Sequence, residues 1–99
     1  MKISVIICTR NRIDDFTKTL PSIATQTHLP DELIVVDSSD EKRLESYLIS
    51  AKLPFPVHYF YTQPGLTLQR NYGIRESNGD LLFFFDDDVD LDKNYLAEV

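Results

Sequence analysis

The chain has 99 residues and a formal net charge of −6, from 16 acidic and 10 basic side chains, and 42% of its residues are hydrophobic. The apolar residues fall in periodic blocks, which excludes a self-repelling disordered chain, and the lack of a basic face or stripe excludes an electrostatic nucleic-acid binder. The charge is local: residues 1–79 balance nine acids against nine bases, while residues 80–99 carry the whole −6, with six aspartates inside 80–92.

A single cysteine, Cys8, leaves no disulfide to form within the chain, which fits a reducing compartment. The longest apolar run, Leu81–Phe85, is far shorter than a membrane span. The opening block Ile3–Cys8 follows Lys2 but runs into Thr9-Arg10-Asn11-Arg12 without a small-residue cleavage site, so it reads as a strand and not a secretory leader. The expected location is the cytoplasm, and the length predicts one domain with one modest core.

In chain order, the first strand is predicted over Ile3–Cys8 and the first helix over Ile13–Gln26, with Ile13, Phe16, Leu20 and Ile23 on one face. Pro21 inside that pattern predicts a kink or a restart. A second strand, Leu33–Val36, leads to a helix over Asp40–Lys52, for which Asp40 is the expected N-cap. A third strand, Val57–Tyr61, leads to a helix over Thr67–Ser77, stopped by Asn78-Gly79. The fourth strand is Leu81–Phe85, and a further helix is expected over Asp92–Val99. The strand runs are nearly continuous and rich in β-branched and aromatic residues, as in strands buried on both faces. Strand alternating with helix predicts an α/β, three-layer, doubly wound and mainly parallel sheet of the Rossmann-like kind.

Such sheets bind ligands beyond the carboxyl ends of their strands. The loops there are Thr9–Arg12, Asp37–Asp40, Thr62–Gly65 and Asp86–Asp88, so the polar chemistry collects at one edge. Two carboxylates 4–5 Å apart repel by roughly 3–4 kcal/mol at an effective dielectric near 20, so Asp86-Asp87-Asp88 suits a site where a divalent cation removes that cost. Alternation along an extended segment would put Asp86 and Asp88 on one side as an Asp-x-Asp clamp; the bland alternative is a solvated acidic turn. Asp37 could accept hydrogen bonds from a ribose or a base, or cap the next helix. Arg10 and Arg12 could pair with a diphosphate or be solvated surface groups, and Arg70 with Asn71 could face the same crevice or make a surface ion pair. His28 and His58 lack metal-spaced companions. Cys8, Tyr59–Tyr61 and Phe83–Phe85 read as core and sheet-face residues.

The first loop has neither a Gly-rich phosphate cradle ending in Lys-Ser/Thr nor a Gly-x-Gly-x-x-Gly turn, which argues against a P-loop NTPase and a dinucleotide oxidoreductase. A receiver-like regulatory module or an Asp-x-Asp phosphotransferase would place its acidic loop after the first strand. Here that loop is Thr9-Arg10-Asn11-Arg12.

Four stretches together carry a family resemblance. They are Ser4–Arg12, Gln26–Asp37, Gly65 through Arg70-Asn71-Tyr72-Gly73, and Ser77-Asn78-Gly79-Asp80 through Asp86-Asp87-Asp88. In this order and spacing the chain resembles the N-terminal half of a family 2 glycosyltransferase of GT-A fold. The resemblance implies transfer of a sugar, with inversion, from a nucleotide-sugar donor (a UDP-sugar above all) to an acceptor saccharide or lipid-linked glycan, with Mn²⁺ or Mg²⁺ as cofactor. It implies that Thr9, Arg10 and Arg12 line the nucleotide pocket with Arg70 and Asn71, that Asp37 contacts the base, and that Asp86 and Asp87 lie at the ribose. Asp88, with Asp86, would hold the metal. The family's catalytic base follows the Asp-x-Asp segment, so residues 1–99 are expected to be the donor-binding half and inactive alone. The open edge of the fourth strand predicts self-association into a homo-oligomer.

Overall fold

The computed structural model describes all of residues 1–99. Strand β1 (Ile3–Thr9) is followed by helix α1 (Ile13–Ala24), strand β2 (Glu32–Asp37), helix α2 (Arg43–Ser50), strand β3 (Val57–Tyr61), helix α3 (Leu66–Glu76), strand β4 (Leu81–Phe85) and a 3-10 turn (Leu96–Glu98). The four strands form one parallel sheet in the order β3-β2-β1-β4. No helix is long and apolar enough to cross a membrane.

Alternation along the central strands divides the interior into two layers, because successive side chains point to opposite faces. Ile3, Val5 and Ile7 of β1 join Leu33 and Val35 of β2 on one face, under Phe16, Leu20 and Ile23 of α1 and Leu44 and Leu48 of α2. Ile6, Ile34 and Val36 face the other way, against Tyr72 of α3. β1 and β2 are therefore apolar on both sides, and the predicted three-layer, doubly wound arrangement is the one found. β3 and β4 are the edges and correspondingly more exposed.

The helix boundaries depart from the sequence pattern for identifiable reasons. α1 is continuous through Pro21, with no restart; Pro21 is exposed while Phe16, Leu20 and Ile23 anchor the helix on the sheet. α2 begins only at Arg43 and has no side-chain cap, because Asp40 is engaged elsewhere: its backbone N–H donates to Asn11 Oδ1 at 2.8 Å, and its carboxylate accepts from Asn11 Nδ2 at 3.1 Å. The expected helix over Asp92–Val99 is reduced to turns and the 3-10 segment. Here Gln26 substitutes for helical bonding. Its side chain donates to the Asp92 carbonyl at 2.6 Å and accepts from the Leu96 N–H at 3.0 Å.

At the amino ends of the strands, Glu32 forms a polar knot. Its carboxylate accepts from the Ser4 hydroxyl at 2.6 Å and from the Asn78 N–H at 2.7 Å, with His58 Nε2 3.5 Å away. Burial pushes its carboxyl up, but the bonds from Ser4 and Asn78 and the nearby His58 outweigh this and leave it below the ordinary glutamate range. A depressed carboxyl stabilises the fold at pH above its ordinary value, and this contribution is lost as pH falls through the lowered one. Glu32→Gln is therefore expected to lower stability at neutral pH and to flatten the acid limb of a urea-midpoint-against-pH curve. Parallel curves for the two proteins would contradict this.

Candidate functional site

The order β3-β2-β1-β4 reverses direction at β1, so the carboxyl ends of β1 and β4, far apart in sequence, meet. In the sheet register Ile7 pairs with Phe85. Two residues further along each chain segment, at the end of β1 and in the turn after β4, the Thr9 hydroxyl donates to Asp87 Oδ2 at 2.8 Å. Thr9 also stands opposite Asp37 across the β1–β2 ladder.

Asp87 is the centre of this junction. It is 8% exposed, and besides the Thr9 bond its Oδ1 lies 3.2 Å from Arg12 Nε. Its main-chain carbonyl accepts from the buried Thr19 hydroxyl of α1 at 3.0 Å. Burial raises its carboxyl, as do Asp88 and Asp15; Thr9 and Arg12 pull the other way, and the net shift is upward. Arg12 reaches three carboxylates at once, because its Nη2 is also 3.3 Å from Asp88 Oδ2 and 3.2 Å from Asp15 Oδ2. It gathers acids from the start of α1 and from the turn after β4.

The clamp expected from strand alternation does not extend this far. β4 ends at Phe85 and the chain turns at Asp87-Asp88, so the pleat no longer sets which carboxylates face together. Asp88 lies on the Arg12 side, whereas Asp86 lines a small hollow of about 40 Å³ with Cys8, Arg70 and Phe84. Burial dominates at Cys8 and pushes its thiol up to about 11, with Arg70 opposing. Asn71 is on that side too, in a shallow depression of about 450 Å³ with Arg70, Ile74 and Phe84.

No group of three or more His, Cys, Asp or Glu side chains is placed to hold a metal ion by itself. The donor set instead suits a cation that keeps water and phosphate oxygens and takes one or two carboxylates from the protein, the usual habit of Mg²⁺ with nucleotides. Asp88, half exposed and bonded only to an exchangeable arginine, fits that part.

Asp37 is fully buried. Its Oδ1 accepts the Ser39 N–H at 3.0 Å and the Ser39 hydroxyl, and its Oδ2 accepts the Tyr59 hydroxyl at 2.6 Å. Burial and this carboxylate drive the Tyr59 phenol far above its ordinary range. Arg10 is at the rim, 3.6 Å from Asp40. Asn11, with φ of +57°, adopts the left-handed conformation that asparagine tolerates and stitches the first loop to Ser39 and Asp40. Thr9, Asn11, Ser39 and Asp40 help to line a cleft of about 280 Å³ between the β1 and β2 loops.

The structure thus brings together Thr9, Arg12, Asp87 and Asp88, sets Asp37 and Arg10 beside them, and places Arg70, Asn71 and Asp86 across the β1 tip. Sequence reasoning missed Thr19, Asn11 and also Gln69, whose side-chain amide donates to the Thr9 and Val36 carbonyls, as parts of this frame. The only signal for Gln69 was a polar residue four positions before Gly73, on what becomes the sheet-facing side of α3.

An acidic turn and a basic loop meeting at the carboxyl ends of a parallel, three-layer sheet define a Rossmann-like α/β domain with its functional edge at those loops. The chain matches the family described as Glycosyl transferase family 2 over residues 4–99, and it belongs to that family. It is 36% identical over 88 residues to the uncharacterized glycosyltransferase YwdF of Bacillus subtilis (strain 168), a match taking in 89% of this chain and 33% of YwdF. The crystal structure of S. aureus TarS 1–349 superposes with a TM-score of 0.78 at 32% identity, over 99% of this chain and 31% of that one. TarS 1–349 in complex with UDP-GlcNAc gives 0.76 at 31% identity, over 99% of this chain and 30% of that one. The chain therefore spans about a third of the length of these relatives.

Proposed function

We propose that residues 1–99 form the donor-binding part of an inverting, metal-dependent glycosyltransferase that takes a UDP-sugar. The observation that carries this reading is the Thr9–Asp87 junction with Arg12 bridging Asp87 and Asp88, in a chain of family 2. The UDP-GlcNAc complex of TarS supports the choice of donor class.

In this reading Thr9, Arg10 and Arg12 line the nucleotide pocket, and the forked Arg12 guanidinium exchanges carboxylate partners for diphosphate oxygens. Asp37 supports the base side, Asp86 and Asp87 lie at the ribose, and Arg70 and Asn71 close the pocket from α3. Asp88 holds the Mn²⁺ or Mg²⁺ ion. When bound, that ion supplies Lewis-acid stabilisation of the charge that develops on the departing nucleoside diphosphate. No carboxylate of residues 1–99 is given the part of the base. Asp92 is occupied by the Asn94 N–H at 2.9 Å, and Asp90 lies against the acidic turn itself. The acceptor in the whole protein is a saccharide or a lipid-linked glycan.

Calorimetric titration of UDP into the chain tests the reading. Binding is expected with Mn²⁺ or Mg²⁺ and is expected to vanish on adding EDTA. Equal binding with and without the ion would defeat the metal-dependent part of the proposal, and no binding under either condition would defeat the donor assignment.

A further inference from the structure

α3 is not held to the sheet by an ordinary apolar stripe. Of its eleven residues only Gln69 and Gly73 are buried, while Leu66, Leu68 and Ile74 are 56%, 50% and 47% exposed. The helix instead carries a glutamine, 5% exposed, into the position where an apolar anchor is normal. Its Nε2 donates to the Val36 carbonyl at 2.9 Å and to the Thr9 carbonyl at 3.1 Å, so both amide hydrogens are used on neighbouring strands. The Thr9 carbonyl also accepts the Ser38 N–H at 3.0 Å, where the two strands part.

Three sequence-distant pieces of the pocket meet at this one amide. Thr9 carries the hydroxyl bonded to Asp87, Val36 immediately precedes Asp37, and Arg70 immediately follows Gln69. A turn of α3 about its axis, or a splaying of β1 from β2, would lengthen at least one of the two bonds. A thioether or alkyl side chain of the same length would fill the space but make neither bond, leaving nothing at this position to tie α3 to both strand tips.

We propose that Gln69 is a positioning residue, which fixes the β1 and β2 tips and α3 in one frame and so sets the relative placement of Thr9, Asp37 and Arg70 for the nucleotide donor. The role rests on the donor-binding reading above, and the test separates the two. Gln69→Met keeps the length and removes both donors. Gln69→Asn keeps the amide, but one carbon shorter it reaches at most one of the carbonyls. Leu48→Ala, in the core under α2 on the opposite face of the sheet, serves as a control that destabilises without touching this frame. UDP affinity with Mn²⁺ is measured well below each melting midpoint, together with the amide resonances of Thr9, Asp37 and Ser38.

Gln69→Met is expected to weaken UDP binding about tenfold or more and Gln69→Asn by less, while Leu48→Ala stays within about twofold of wild type despite a comparable loss of melting temperature. The three amide resonances are expected to move in the Gln69 variants and to stay in place in Leu48→Ala. Weakening that merely follows the loss of melting temperature in all three variants would overturn the proposal, as would unchanged affinity in Gln69→Met. Should wild type bind no UDP, the donor reading falls. The resonances then decide whether Gln69 holds the strand tips, and unmoved Thr9 and Asp37 signals would overturn that as well. Should Gln69→Met not fold, Gln69→Asn against Leu48→Ala decides by the same two readouts.

Discussion

Asp88→Asn is expected to weaken Mn²⁺-dependent binding of UDP by about 100-fold or more while leaving the melting temperature almost unchanged. Loss of a residue that only orients a metal ligand commonly costs 10–100-fold in affinity, so loss of a ligand itself stands at or beyond the top of that range. The stability side rests on geometry. Asp88 has one ion-pair partner, Arg12 at 3.3 Å, and both side chains are about half exposed. Such pairs contribute roughly 0–1 kcal/mol. Removing the Asp88 charge also relieves Asp87, whose carboxyl Asp88 helps to push up. Asp87→Asn makes the contrast, because Asp87 is buried and holds Thr9 and Arg12. That variant is expected to lose stability and binding together. Wild-type affinity in Asp88→Asn with Mn²⁺ present would remove Asp88 from the metal site.

The same geometry explains how three consecutive carboxylates persist at a strand end. They do not all face one another: Asp87 and Asp88 share one guanidinium, and Asp86 lies apart. Arg12 neutralises Asp87 and Asp88 on the α1 side, while Asp86 shares its hollow with Arg70 on the α3 side. The three charges of Asp86–Asp88, half of the local −6, are thus divided between two neighbourhoods, each with its own arginine.

Much of this architecture could be read from the sequence, and what could not has a common cause. The four strands were legible because residues such as Ile6, Val35 and Val36 are apolar wherever a parallel sheet buries both faces. That the Thr9–Arg12 loop and the acidic turn after the fourth strand meet at one edge followed from strand topology alone. Side-chain commitments across long sequence separations were not legible. Asp40 looked like a helix cap until Asn11, from another loop, took its hydrogen bonds. Asp37 left ligand contact and capping level; besides its local bonds to Ser39, the fold gives its other oxygen to Tyr59, 22 residues on. The pairing of Asp86 with Asp88 assumed an extended backbone that ends at Phe85. Local propensity gives no hint of these, because the deciding partner is twenty or more residues away or beyond a strand end.

Gly73 offers the test in which local propensity and tertiary packing predict opposite signs. In an exposed helix interior, glycine to alanine stabilises by roughly 0.5–1 kcal/mol, since the backbone has less freedom to lose. At Gly73 a Cβ would stand 2.6 Å from Ile6 Cγ2, with Val36 Cγ2 at 3.6 Å behind it. Ile6 is wholly buried between β1 and α3 and has nowhere to retreat. α3 would have to lift. Gly73 lies four residues after Gln69 on the same helix face, so lifting also pulls the Gln69 amide from the Thr9 and Val36 carbonyls. Gly73→Ala is therefore expected to destabilise, and Gly73→Val more so, by about 1–3 kcal/mol from overpacking alone. In a domain of this size each kcal/mol moves the melting midpoint by about 4–8 °C, so the valine variant should melt roughly 5–20 °C lower. UDP affinity in Gly73→Ala should fall in the manner of Gln69→Met, because both loosen the same frame. An alanine variant that melts higher than wild type would show that α3 can ride away from the sheet at no cost, and the link from helix packing to pocket geometry would be lost.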